Sequence, residues 1–169
     1  MSKSRIVGMM ALMLFAMGIL LVGDAVAGKE ATENLTGGFY ATSKVVAFGE
    51  AYFFGAGEGF GVWVGETGKE MCHGASIHPV FQWQVEKGLY SETGMVVWTL
   101  LNGDKIYLKY FTPATKPGET PKGTITILGG TGKCAGIEGS AEYTMHPSVP
   151  SVEGAWQGLS KAKFHYKLP

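Results

Sequence analysis

The sequence predicts an all-β domain, an antiparallel barrel or a sandwich, and three observations predict it. The 169 residues include 26 glycines, well above the roughly 7% of an ordinary chain, which argues for many tight turns between strands. Apolar and polar residues alternate with a period of two in several windows, the mark of strands with one dry and one wet face. Beyond residue 27, no window of helical length carries an apolar stripe at 3.6-residue spacing. With 46% hydrophobic and 17% charged residues, one domain has enough apolar mass for a core, which excludes a coiled coil or a disordered tail. The balance of 14 Lys+Arg against 14 Asp+Glu provides no basic stripe for nucleic acid.

The first element is an address. Lys3 and Arg5 precede an unbroken apolar run from Ile6 to Val22, then Gly23-Asp24 and Ala25-Val26-Ala27. A charged region, an apolar core and an Ala-x-Ala triplet form a secretory signal with cleavage after Ala27, so residues 1–27 read as a signal helix and 28–169 as a single domain. An uncleaved anchor is the alternative, because the run approaches the ~17 residues that span a bilayer. Once cleaved, the protein is expected in the periplasm or medium, without stable membrane association. Arg5 is the only arginine, so the mature domain has no guanidinium fork for phosphate or carboxylate.

Strand candidates follow in order. Gly38–Phe48, Glu50–Phe54 and Phe60–Val64 come first, separated by the glycine-dense Gly55–Gly61, a turn or a strongly bent strand. Phe81, Trp83 and Val85 alternate with Gln82, Gln84 and Glu86. Met95–Leu101 and Lys105–Phe111 flank Asn102-Gly103-Asp104, which predicts a tight hairpin whose two central residues tolerate positive φ, with Asp104 capping its turn. Thr112–Pro121, with three prolines, and His146–Pro150 read as loops. Lys122–Leu128, Ser140–His146 and the alternating Lys163–Leu168 complete seven or eight strands in 142 residues.

The run Lys122-Gly-Thr-Ile-Thr-Ile-Leu-Gly-Gly-Thr-Gly-Lys-Cys-Ala-Gly-Ile-Glu-Gly-Ser-Ala-Glu-Tyr143, with Gly129-Gly130-Thr131-Gly132-Lys133 at its centre, resembles the strand–turn–strand signature of allene oxide cyclase-like and dirigent-like barrels. Gly103-Asp104-Lys105 upstream is similar to the bacterial secreted branch. The resemblance runs from about Met95 to Tyr143. It implies an antiparallel eight-stranded up-and-down barrel with an apolar interior, no cofactor, and a homotrimeric assembly as in plant relatives. Cys134 and Glu138 stand where the dirigent pattern has an aromatic and an arginine, so Asp/Arg-based dirigent chemistry does not carry over.

Other chemistries are weakly supported. Gly130-Thr-Gly-Lys-Cys-Ala135 fits a loose dinucleotide fingerprint but runs on into a strand-like segment where a helix is required. No G-x-S-x-G elbow holds a serine nucleophile. Cys72, His73, His78, Cys134 and His146 lack zinc-site spacing, so no metal is expected. Cys72 and Cys134 pair as a disulfide in an oxidising compartment or remain two buried free thiols; both arrangements are open.

Three function classes follow. The leading one is a secreted barrel binding a small apolar ligand, neutral or weakly polar, with Trp63, Trp83, Trp98 and Tyr107 as lining candidates; glycines free interior volume and tryptophans wall it. The second is a cofactor-independent cyclase or isomerase of allene oxide cyclase type, which a buried ionisable group with a shifted pKa inside the cavity would favour. The third is a structural or interaction protein with a filled barrel. Intact mass of the exported product tests the address: a chain beginning at Gly28 is expected, and retention of residues 1–27 in the membrane fraction contradicts it.

Overall fold

The computed structural model describes residues 28–149 and 154–169; the signal-helix expectation falls outside them. Eight antiparallel strands close into a barrel in sequence order: β1 Glu30–Ala47, β2 Tyr52–Gly65, β3 Ser76–Glu86, β4 Leu89–Thr99, β5 Lys105–Thr115, β6 Lys122–Gly130, β7 Glu138–Ser148 and β8 Ala155–Lys167. The first strand pairs with the second and with the last, so no strand is left with an unpaired edge to recruit other chains. A single 3-10 turn, Gly132–Cys134, lies between β6 and β7.

Three expectations change. Of the two readings of Gly55–Gly61 the turn falls away: the segment is strand, the middle of β2, which merges two candidate strands. Gly55, Gly57, Gly59 and Gly61 sit at alternate positions facing the lumen, while Phe60, Val62 and Val64 face outward. β5 includes Thr112–Thr115, and β7 includes His146-Pro147, so both predicted loops begin later. Pro113 is tolerated because the register against β4 slips between Tyr90 and Glu92, a bulge that excuses its missing N–H.

The turn chemistry differs too. At Asn102-Gly103 only Gly103 has positive φ (86°), and the turn closes through Gly103 N–H to Leu100 O and Leu100 N–H to Asp104 O. Positive φ at both central residues occurs instead at Lys87-Gly88 (50° and 80°), the tight two-residue connection of β3 to β4. Asp104 does not cap its own turn. Its backbone N–H donates to Asn102 Oδ1, and its Oδ2 accepts from Lys133 N–H at 3.0 Å. Thr131 Oγ1 accepts from Lys105 N–H at 2.8 Å. The glycine signature is therefore a staple between the β4–β5 hairpin and the β6–β7 connection. Gly132 is required there, because a Cβ at its φ of 54° would lie 1.8 Å from Asp104 Oδ1.

One half of the lumen is solid. Leu35, Trp63, Ile77, Trp98, Ile106, Leu108 and Phe164 pack together with Cys72, Cys134 and Ile137. Glu33 closes this end: its carboxyl oxygens accept from Met71 N–H (2.6 Å), Cys72 N–H (3.1 Å) and Tyr166 Oη–H (2.9 Å), pinning the β2–β3 connection to β1 and β8. Cys72 and Cys134 are both buried free thiols, so no disulfide forms, and stability at this end rests on packing and on Glu33. Burial pushes the Cys72 thiol far up, Glu33 adding to it, so it is inert as a nucleophile. Glu33→Ala strands two backbone N–H groups and a phenol, each costing about 1–3 kcal/mol. A loss of roughly 3 kcal/mol in denaturant titration is expected; a change below about 0.5 kcal/mol contradicts the closing role.

Candidate functional site

The other half of the lumen is a cavity of about 960 Å³ opening at the ends of β3 and β7 and the starts of β4 and β8. A repeated sequence device makes the room: an inward aromatic on one strand faces a glycine on the next. Gly55 pairs with Trp83, Gly94 with Tyr110, and Gly123 with Tyr143. A Cβ at Gly55 would lie 2.4 Å from Trp83 Cε2, one at Gly94 2.7 Å from Tyr110 Cε1, and one at Gly123 2.6 Å from Tyr143 Cε1. Each ring occupies the space of a missing side chain along the wall. It therefore does not project across the lumen.

Trp83, Tyr90 and Trp156 form one wall, with ring centroids 5.5–6.4 Å apart. Trp83 is held by its indole N–H donating to Ser43 Oγ at 3.1 Å. Tyr110 and Tyr143 form another wall, edge to face at 6.0 Å. Between them stands Glu92 on β4. Tyr90 donates to its Oε2 and Tyr110 to its Oε1; Tyr143 is tied to Thr112 Oγ1 at 2.5 Å. Burial pushes the Glu92 carboxyl above its ordinary range, and the two tyrosine hydroxyls act against that by stabilising the ionised form. Burial, with Glu92 beside them, also pushes the Tyr90 and Tyr110 phenols up, so both keep their protons.

Of the four lining candidates, Trp63, Trp83 and Trp98 lie among the cavity residues. Trp63 and Trp98 form its floor, 3% and 1% exposed and edge to face at 5.5 Å. Tyr107 does not line it. Its neighbours Ile106 and Leu108 are fully buried and Tyr107 is 39% exposed, so strand alternation turns it outward. Gly129–Lys133 sits at the closed end, away from the cavity, and is structural. The sequence points to Tyr110 and Trp156 only as members of a general aromatic core set, and Glu92, Tyr90 and Tyr143 not at all. The signal for Glu92 was an acid in phase with Val96 and Trp98 on the dry face of β4.

Among the described residues, no three His, Cys, Asp or Glu side chains converge as metal ligands. His78 lies outside, bonded to Glu58 at 3.0 Å and stacked on Phe60 at 4.8 Å. His73 accepts from Gly65 N–H at 3.2 Å.

No family model matches the chain and no curated protein matches it. Solved structures do. A protein of unknown function from the DUF3224 family of Shewanella oneidensis MR-1 superposes with a TM-score of 0.54 at 15% identity, covering 84% of this chain and 98% of that one. A pterocarpan synthase dirigent protein superposes with a TM-score of 0.52 at 15% identity, covering 84% and 93%. The barrel fold is thus shared with these two proteins.

Because Glu92 holds its proton to higher pH when folded than its ordinary 4.5, the native state binds more protons than the unfolded state above that value. Stability therefore falls as pH rises from about 4.5 through the raised native value and levels off beyond it. Glu92→Gln removes this component: thermal unfolding of E92Q is expected to gain on wild type from pH 4 to pH 8. Parallel profiles for the two proteins contradict the desolvated carboxyl.

Proposed function

We propose that this protein is a small-molecule-binding barrel that takes one predominantly apolar ligand into the open half of its lumen. The carrying observation is the cavity itself: about 960 Å³, walled by Trp83, Tyr90, Tyr110 and Trp156, with Glu92 as its buried polar anchor. That volume lies at the upper end of ordinary ligand pockets and the lining matches their composition, mostly aromatic with a few placed polar groups. The open half of the lumen favours this reading over that of a filled barrel.

A second reading, a cofactor-independent isomerase or cyclase, is favoured by Glu92. A carboxyl raised by burial and bonded to two tyrosine hydroxyls is the kind of group that exchanges a proton with a bound substrate. Both readings need the cavity occupied; only the second needs Glu92 to transfer a proton.

The setting proposed is the bacterial secreted branch of these barrels, exported by residues 1–27. The Gly129–Lys133 signature, Gly103-Asp104-Lys105 and the barrel shared with a bacterial protein support it. Self-association as a trimer is proposed from the same resemblance. Phe60, Val62 and Val64 on β2, with Tyr40 and Leu159 beside them, expose an apolar stretch of outer wall that suits it.

Titration of tryptophan fluorescence with fatty-acid-like and aromatic compounds tests the binding reading, because Trp83 and Trp156 form the wall. A saturable shift is expected from folded wild-type protein; no saturable response from any compound overturns it.

A further inference from the structure

The sequence argued for a neutral ligand, and Glu92 changes that. Resting on the binding reading above, we propose that the occupant is a hydrophobic cation, an apolar molecule carrying one protonated or quaternary amine, whose charged end sits against Glu92 between the aromatic walls.

Three observations converge. First, Glu92 brings a negative charge, or the capacity for one, into an apolar cavity without a cationic partner. Among the described residues the ion pairs are His78–Glu58 and Lys167–Glu30, both exposed at the surface. Among the described residues, Lys116 in the mouth loop is the only lysine lining the cavity. Second, the two donors on Glu92 are phenol hydroxyls approaching one oxygen each. They stabilise a carboxylate by hydrogen bonding and leave its charge uncompensated. Third, the rings around it are those that attract cations through their electron-rich faces: Trp83, Tyr90 and Trp156 in mutual contact on one side, Tyr110 against Tyr143 on the other.

A carboxylate set among aromatic rings is hostile to an anion and indifferent to a neutral chain, whereas a cation relieves the cost of charging Glu92. The titratable groups facing Glu92 are Tyr90 on its own strand, Tyr110 on β5 and Tyr143 on β7. At the mouth stand Lys116, Glu119 and His146. The tyrosines remain protonated, so the change of charge beside the ligand is that of Glu92. When a cation binds the protonated form, the Glu92 proton leaves to solvent and the carboxylate stays paired with the ligand.

The test uses three probes of matched chain length, decyltrimethylammonium, decanol and decanoate, titrated into the folded barrel below micelle-forming concentrations. The cation is expected to bind at least tenfold more tightly than decanol at neutral pH, with decanoate weakest. Its affinity should tighten as the pH rises above 4.5 while that of decanol stays flat. In E92Q the preference for the cation over decanol should shrink to within about threefold. Decanol or decanoate binding as tightly as the cation overturns the inference and leaves the binding reading standing. Failure of all three probes to bind overturns both. The comparison among probes on wild-type protein decides the matter even where E92Q does not fold.

Discussion

The structure depends on one packing constraint, an aromatic ring laid over a glycine on the neighbouring strand. An eight-stranded barrel has just enough interior for its own side chains, so a cavity requires that inward positions be given up. Here β2 gives up four in succession, Gly55 through Gly61 at alternate positions, and Gly94 and Gly123 give up two more. Glycine in a strand is ordinarily weakening, because it adds backbone entropy to the unfolded chain and packs nothing. The paired ring offsets that cost by covering the bare backbone with apolar area. Trp83, Tyr110 and Tyr143 thereby become wall instead of filling. The same pairing occurs at Gly37 and Trp63, where a Cβ would lie 2.6 Å from Trp63 Cε3, at the floor where the cavity meets the packed half.

Two carboxyls mark the two halves of the barrel, and their partners explain the difference. Glu33 is 6% exposed and takes two backbone N–H groups and a phenol, an arrangement that immobilises a connection. Glu92 takes only two phenols and opens onto a cavity. Backbone donors cannot move without unfolding their turn, whereas a tyrosine hydroxyl can rotate toward a ligand. The packed half thus supplies rigidity through Trp98, Ile106, Leu108 and Phe164, and the open half retains polar groups that have a choice of partner. The β5 bulge facing Tyr90 and Glu92 belongs to the open half.

The sequence revealed the all-β class and most strand positions, because alternation at Phe81–Val85 and Lys163–Leu168 survives in the structure unchanged. It left Gly55–Gly61 open between a turn and a strongly bent strand. Glycine reads as a turn wherever its partner ring is unknown, and Trp83 lies more than twenty residues further on. Asn102-Gly103 gave the right hairpin with the wrong turn, since the Asp104 tie to Lys133 comes from a distant segment and sets the local geometry. Trp63, Trp83 and Trp98 were legible as lining from their strands, but Tyr107 was not excluded, because a lone strand does not disclose which face is dry. Glu92 was hidden by the same ambiguity: an acid in a strand is normally wet, and only closure of the barrel puts it inside.

The central claim is that ring and glycine stabilise each other across the strand pair. A double-mutant cycle on Gly55→Ala and Trp83→Leu, followed by denaturant titration, tests it most directly, since the atoms nearest a Cβ at Gly55 all belong to Trp83. The account predicts that Gly55→Ala destabilises the wild-type barrel but is neutral or stabilising in the Trp83→Leu background, with a coupling of about 1 kcal/mol or more. Additive effects, within about 0.3 kcal/mol, would contradict it.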